Sequence, residues 1–243
     1  MEYFKKLKLI KLCLLYIIMS HIDLVVDRSG SMDNLFQATV KGLTEFVKHQ
    51  QSLEGAKNST ISLTTFDDVV ETPVTYAPLL EYVFDETHIH PRNTTALYDA
   101  LGKLFENVPF DTKRTVVIVT DGEDNASRTF TASSISDQIT ERRKFGWTFL
   151  FLAANQDAIA TGKKLSIPAE TSCTFDAENE RATMGVIRAA SDAIARGQSG
   201  EPVAFTQLER EESSGSRRPT FNPPLTRSIP SRSVGYSTNL NIN

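Results

Sequence analysis

Cysteine is scarce in this chain, and neither sign of charge is in excess. The 243 residues include only Cys13 and Cys173, too few for a disulfide framework, which fits a reducing compartment. Lysine and arginine number 26 against 30 acidic residues, so no basic excess favours nucleic acid as the main partner. With 40% hydrophobic residues, the chain can bury one good core and still leave segments outside it.

A cleavage site and a full membrane span are both missing at the N-terminus. Residues 1–19 are basic and then apolar, like the first two regions of a signal peptide. No A-x-A site follows Ile17, however, and the apolar run is too short and too interrupted by lysine to predict a span. Two interpretations stay open. If Met19 is the start, the residues before it are an extension and the protein is cytoplasmic; if residues 1–19 are a signal or anchor, it is secreted or membrane-anchored.

Acidic residues are absent from the C-terminal segment. Residues 213–243 contain seven serines, four prolines and four arginines, with no apolar periodicity. Such a composition cannot bury enough apolar surface to offset the entropy lost on ordering. We therefore predict one domain over residues 20–212, followed by a disordered tail over residues 213–243.

Strands and helices alternate along the predicted domain. Apolar and β-branched runs predict strands near 22–26, 59–66, 69–75, 115–120, 147–153 and 171–175. Pro73 cannot donate to a ladder, so the strand that contains it is placed at a sheet edge. Helical spacing predicts helices near 33–51, 95–108, 132–145, 157–165 and 177–196, the first capped by Ser31 or Asp33 and the last ended by Gly197. This alternation predicts an α/β fold: a doubly wound, Rossmann-like, mostly parallel six-stranded sheet with one antiparallel edge strand and helices on both faces.

Small oxygen-bearing side chains follow the first predicted strand. Asp27, Ser29 and Ser31 alternate with Arg28 and Gly30 in a tight loop. Ligands of open α/β sheets bind in the crevice at the carboxyl ends of the strands. One carboxylate and two neutral hydroxyls in that crevice predict a site for a small, hard cation, which prefers oxygen ligands.

The segment Asp-Arg-Ser-Gly-Ser-Met resembles the first element of the metal-ion-dependent adhesion site of von Willebrand factor A (VWA) domains, as found in compact bacterial and phage proteins. Two further segments match. Thr95, before Ala96-Leu97, corresponds to the threonine of that site, although Thr94 stands where glycine is usual, and Asp121 lies in the closing Thr-Asp-Gly. The resemblance covers residues 22–196. It implies that Asp27, Ser29, Ser31, Thr95 and Asp121 bind Mg²⁺ or Mn²⁺, and that an acidic residue of a partner protein completes the shell. It implies no catalysis.

Other interpretations of these residues stay open. Asp27 after an apolar strand also resembles the nucleophile of haloacid-dehalogenase-type phosphatases, but Ser29 replaces their general acid. Taken singly, Ser31 and Thr95 are also typical of helix caps, and Asp121-Gly122 of a turn.

Charged residues outside this set have simpler interpretations. His88 and His90 with Asp85 form a weaker candidate metal site, for which a solvated loop is the favoured interpretation because no further ligands follow at a recognisable spacing. Glu123 and Asp124 are interpreted as solvated loop acids. Arg142 ends a helix, where a cation suits the dipole, and Cys173 is interpreted as a small buried apolar residue.

Overall fold

One mostly parallel sheet lies at the centre of the computed structural model, which describes residues 20–108, 113–154 and 157–215. Its strands are β1 (His21–Asp27), β2 (Thr60–Phe66), β3 (Val70–Pro78), β4 (Arg114–Thr120), β5 (Thr148–Ala154) and β6 (Ser172–Phe175). Their order is β3-β2-β1-β4-β5-β6. All neighbours pair in parallel except β2 and β3, which are antiparallel. The predicted fold class and the edge position of the Pro73 strand are confirmed.

Helices cover both faces of this sheet. They are α1 (Phe36–Ser52), α2 (Leu97–Asn107), α3 (Ala132–Lys144), α4 (Ala158–Lys164), α5 (Glu180–Gln198) and α6 (Gln207–Ser213). Side chains of β1 alternate between two cores: Leu24 and Val26 pack with α1 and α5, whereas Val25 packs with α2 and α3. No helix among residues 20–108, 113–154 and 157–215 has the length and apolar character of a membrane span.

Two predicted helix ends are wrong. Residues Gly30–Leu35 form a 3-10 helix before α1, and neither of these helices has a side-chain cap. The predicted caps at Ser31 and Asp33 therefore do not form. At the other end of the chain, α5 continues through Gly197 to Gln198. Glycine serves packing at this position, because a Cβ on Gly197 would lie 2.4 Å from the side chain of Val203.

Helix α6 was not predicted. Thr206 and Glu209 form a capping box at its start, and Glu209 pairs with Arg196 at 2.9 Å. Arg210 donates to the main-chain carbonyl of Ser172, which covers the outer edge of β6. The predicted domain boundary at residue 212 falls inside this helix. Residues 1–19 and 216–243 lie outside the described residues.

Aromatic and arginine side chains alternate in a stack at the amino ends of the strands. The guanidinium carbon of Arg114 lies 4.9 Å from the ring centre of Tyr76 and 5.5 Å from that of Trp147. Arg142 lies 5.3 Å from Trp147 and 4.2 Å from Phe105. Burial lowers the pKa of Arg142 to about 10. This arginine is thus part of the core, as well as the helix-end cation that the sequence predicted.

Candidate metal centre

The candidate site lies where β1 and β4 end side by side. Asp27 is the last residue of β1 and is 1% exposed. Its Oδ1 accepts the N–H of Ser29 at 2.7 Å, and its Oδ2 accepts the hydroxyl of Thr120, the last residue of β4, at 2.6 Å. Because the two strands are parallel neighbours, Asp121 follows Thr120 at the same edge of the sheet. Both predicted carboxylates are therefore brought to one crevice.

The two serines bridge these strand ends. Ser29 is buried, and its Oγ lies 3.1 Å from the Oγ of Ser31. Ser31 is exposed, and its hydroxyl donates to Oδ1 of Asp121 at 2.7 Å. The structure thus brings together four of the five predicted ligands: Asp27, Ser29, Ser31 and Asp121.

Thr95 enters the same crevice from a second loop. Its N–H donates to Oδ1 of Asn125 at 2.9 Å, and its carbonyl accepts the N–H of Asn125 at 2.9 Å. A Cβ built on Gly122 would lie 3.4 Å from Oγ1 of Thr95, so this hydroxyl lies beside the residue that follows Asp121. Helix α2 has Ala96 at its N-cap and no side-chain cap. The interpretation of Thr95 as a helix cap is therefore wrong, and its hydroxyl remains on the site.

Main-chain hydrogen bonds fasten this second loop to the first. The N–H of Arg92 donates to the carbonyl of Arg28 at 2.7 Å, and the N–H of Gly30 donates to the carbonyl of Asn93 at 3.0 Å. The loops that carry Asp27 and Thr95 thus form one unit.

Burial disfavours the charged forms of both carboxylates. It raises the pKa of Asp27 to about 6, although hydrogen bonds from Thr120 and Ser29 act in the opposite direction. Burial also raises the pKa of Asp121, against the hydrogen bond from Ser31. The charge of Asp121 adds to the rise at Asp27. A cation between the two would relieve this cost.

The donor set fits a small divalent cation. It consists of two carboxylates and three hydroxyls, all hard oxygen donors. Among the described residues, no three His, Cys, Asp or Glu side chains are grouped to hold a metal. The weaker candidate around His88 and His90 is spread out: His88 lies 4.0 Å from Asp85, whereas His90 stacks on Phe36.

Sequence reasoning missed several residues that shape the site. Thr120 is fully buried at the end of β4. A polar residue at the end of an apolar strand was the sequence signal that could have identified it. Asp124 is not merely a solvated acid, because its carboxylate accepts the N–H of Tyr98 at 3.0 Å and the hydroxyl of Ser127. It thereby joins the loop after β4 to the start of α2.

Comparisons with known proteins bear on the domain and its fold. Residues 22–123 match the family model of the von Willebrand factor type A domain. Among curated proteins, none matches the chain in sequence.

Solved structures share the fold at low identity. Proximal thread matrix protein 1 from the mussel byssus, solved with a zinc-occupied MIDAS motif, is 14% identical with a TM-score of 0.56, over 73% of this chain and 46% of that chain. The pilus adhesin SpaC from Lactobacillus rhamnosus GG is 13% identical with a TM-score of 0.57, over 73% and 31%. A von Willebrand factor type A protein from Catenulispora acidiphila is 13% identical with a TM-score of 0.51, over 71% and 42%.

This chain spans less than half the length of each of these three proteins. Residues 22–123 therefore match a von Willebrand factor type A domain, and the described sheet and helices have the fold of solved proteins of that type.

Proposed function

We propose that this chain is a metal-dependent protein-interaction module with an intact metal-ion-dependent adhesion site. Its ligands are Asp27, Ser29, Ser31, Thr95 and Asp121, and its metal is Mg²⁺ or Mn²⁺. The observation that carries this proposal is the run of contacts from Ser29 through Ser31 to Asp121, which joins two strand ends through oxygen atoms alone. The solved byssus protein with a zinc-occupied MIDAS motif supports a divalent cation in this fold.

The ligands play different roles in this proposal. Asp27 is buried and each of its oxygens already accepts a hydrogen bond, which suits a carboxylate that would hold the ion through a bound water. Ser31 and Asp121 are more accessible, and their oxygens would hold the ion on the solvent side of the crevice. Two carboxylates neutralise the divalent charge, and three hydroxyls add ligands without adding charge. Held by this set, a divalent cation would stay electrophilic towards solvent, where a carboxylate of a partner protein would complete its shell.

The phosphatase alternative has little support from the same geometry. A nucleophilic carboxylate must reach the phosphorus atom, but Asp27 is 1% exposed and hydrogen-bonded through both oxygens. The hydroxyl of Ser29 cannot replace a general acid of ordinary carboxyl acidity. We therefore propose a non-enzymatic role, and turnover of an aryl phosphate by the chain, lost in Asp27→Asn, would contradict it.

The proposal is tested by calorimetric titration of the full chain with Mg²⁺ and Mn²⁺. Asp27→Ala is expected to abolish binding with the fold retained. Asp33→Ala is the matched control, because Asp33 is an exposed acid two residues after Ser31 and outside the ligand set. A pulldown with and without chelator then searches for the acidic partner. Unchanged metal affinity in Asp27→Ala would refute the assignment.

The location of the protein is a separate proposal. The pilus and byssus origins of similar structures favour the secreted or membrane-anchored alternative over the predicted cytoplasmic location. Sequencing the N-terminus of the protein made from its native gene, after cell fractionation, tests this choice. A product that begins at Met19 and remains in the cytoplasm would contradict the surface assignment.

A further inference from the structure

Four charged side chains form a closed ring beside the candidate metal site. Asp67 follows β2, and its side chain is fully buried. Its Oδ2 lies 3.3 Å from Nε of Arg28 and also accepts a hydrogen bond from Nε of Arg92. Glu71 of β3 closes the ring, with 2.7 Å to Nη1 of Arg28 and 3.3 Å to Nη2 of Arg92. Positive and negative groups therefore alternate, and the ring is neutral.

This ring joins the two loops that carry the candidate ligands. Arg28 lies between two ligands of the first loop, and Arg92 lies three residues before Thr95. The main-chain carbonyl of Asp67 also accepts the N–H of Ala96, directly after Thr95, at 2.7 Å. Asp67 thus holds the first loop by its side chain and the second loop by both its side chain and its main chain.

The Asp67 carboxylate is the buried negative charge that balances the buried charge of Arg28. Arg28 is 5% exposed, and its Nε and Nη2 have no hydrogen-bond partner among the described residues. Glu71 is half exposed, so water screens its charge, although the hydrogen bond from Arg28 lowers its pKa. Removing one partner of a buried ion pair leaves an uncompensated charge, which the surrounding structure relieves by moving. Loss of the Asp67 charge would therefore displace Arg28 together with the ligands on either side of it.

We infer that Asp67 is a positioning residue of the metal site, which locks the loop of Asp27 against the loop of Thr95 so that both reach one ion. This inference rests on the proposed function. Asp67 is outside the proposed ligand set. It acts through Arg28, Arg92 and the Ala96 N–H, in the manner of outer residues that orient metal ligands.

The variant Asp67→Asn tests this role, because asparagine keeps the shape and the acceptor for the N–H of Val69 but loses the charge. Mn²⁺ affinity, measured by calorimetry of the full chain, is expected to fall about 10- to 100-fold. Glu178→Gln is the matched control. It removes an equal charge from the cleft that Ser31 and Asp121 line, outside the ring. Its effect should be much smaller; an equal or larger loss would mean that charge alone matters and would overturn the inference.

A double-mutant cycle with Thr95→Ala separates positioning from general destabilisation. If Asp67 acts by placing Thr95, the loss caused by Asp67→Asn is smaller once Thr95 has no hydroxyl. Full additivity of the two losses in Mn²⁺ affinity would overturn the inference. If Asp67→Asn fails to fold, Arg92→Gln is the second variant that tests the ring, because Arg92 is its half-exposed arginine. It should weaken Mn²⁺ binding several-fold, and unchanged affinity would count against positioning by the ring.

Failure of this inference is distinguishable from failure of the proposed function. If the parent binds no metal, the proposed function falls and the inference falls with it. If the parent binds Mn²⁺ and Asp27→Ala does not, but Asp67→Asn binds like the parent, only the positioning role is overturned. Fluorescence of Trp147, the single tryptophan, confirms that each variant is folded.

Discussion

The hydroxyl of Ser31 donates a 2.7 Å hydrogen bond to Asp121, which lies 90 positions further along the chain. This contact connects the loop after β1 to the loop after β4 at the rim of the sheet. An exposed hydrogen bond of this kind contributes little to the free energy of folding, whereas the proposed function makes both side chains ligands of one metal ion. The two roles of Ser31 can therefore be measured separately.

Ser31→Ala is expected to weaken Mg²⁺ binding strongly while the free energy of unfolding changes by less than about 1 kcal/mol. The reason is that alanine removes one proposed oxygen ligand and the hydroxyl that donates to Asp121. Calorimetry and urea unfolding in chelator measure the two quantities. A protein that loses stability but binds Mg²⁺ normally would contradict the role of Ser31 as a ligand.

Asp27→Asn is expected to stabilise the metal-free protein at neutral pH. The pKa of Asp27 rises from its ordinary 3.8 to about 6 on folding, so the folded state binds a proton more tightly than the unfolded state. This contribution to stability is complete below pH 3.8 and is lost as the pH rises to about 6. Above about pH 6, asparagine removes the cost of burying this charge. The free energy of unfolding is therefore expected to rise by up to about 3 kcal/mol.

The hydrogen bonds at this position can adapt to asparagine. Its amide can donate to the hydroxyl of Thr120, which can turn towards the carbonyl of Gly122 at 3.2 Å. Urea unfolding in chelator from pH 4 to pH 8 is the measurement. An asparagine variant with the same pH dependence as the parent would show that Asp27 is not the group responsible.

Added metal is expected to stabilise the parent and not Asp27→Ala. Binding to the folded state alone raises the free energy of unfolding by about 2.7 kcal/mol when the free ion is at 100 times its dissociation constant. Thermal unfolding with increasing Mg²⁺ measures this gain. Equal gains in the parent and in Asp27→Ala would place the binding elsewhere on the chain.

Two glycine-to-alanine changes test the packing of α1 on α5. A Cβ on Gly42 of α1 would lie 2.7 Å from Cδ1 of Ile187, so Gly42→Ala overpacks the core and is expected to cost about 1–3 kcal/mol. A Cβ on Gly185 of α5 would meet nothing within 4 Å. Gly185→Ala should therefore add up to about 1 kcal/mol through helix propensity. Urea unfolding compares the two, and a stabilising Gly42→Ala would show that the helices lie further apart.

Features that depend on neighbouring residues could be predicted from the sequence, whereas those that depend on contacts between distant segments could not. Asp27, Ser29 and Ser31 lie in one short segment, and the strand before them indicates which edge of the sheet they reach. Asp67 carries no such local signal, because the pairing of β1 with β2 brings Arg28 to it and the separate loop before α2 brings Arg92. Its role could not be predicted from spacing.

The end of α5 also depends on a contact that residue spacing does not reveal. Gly197 is typical of a helix stop, but its contact with Val203 after the helix depends on a turn of the chain that spacing does not reveal. Helix α6 is different, because its Thr-x-x-Glu capping box is a local signal that was available in the sequence.

The most direct test of the central claim is titration of the full chain with Mn²⁺, beside the paired variant Ser29→Ala with Ser31→Ala. Binding by the parent with one ion per chain, lost in the paired variant while Trp147 fluorescence still reports a folded protein, is the result that we predict. A folded parent that binds no Mn²⁺, or a paired variant that binds as tightly as the parent, would contradict the claim.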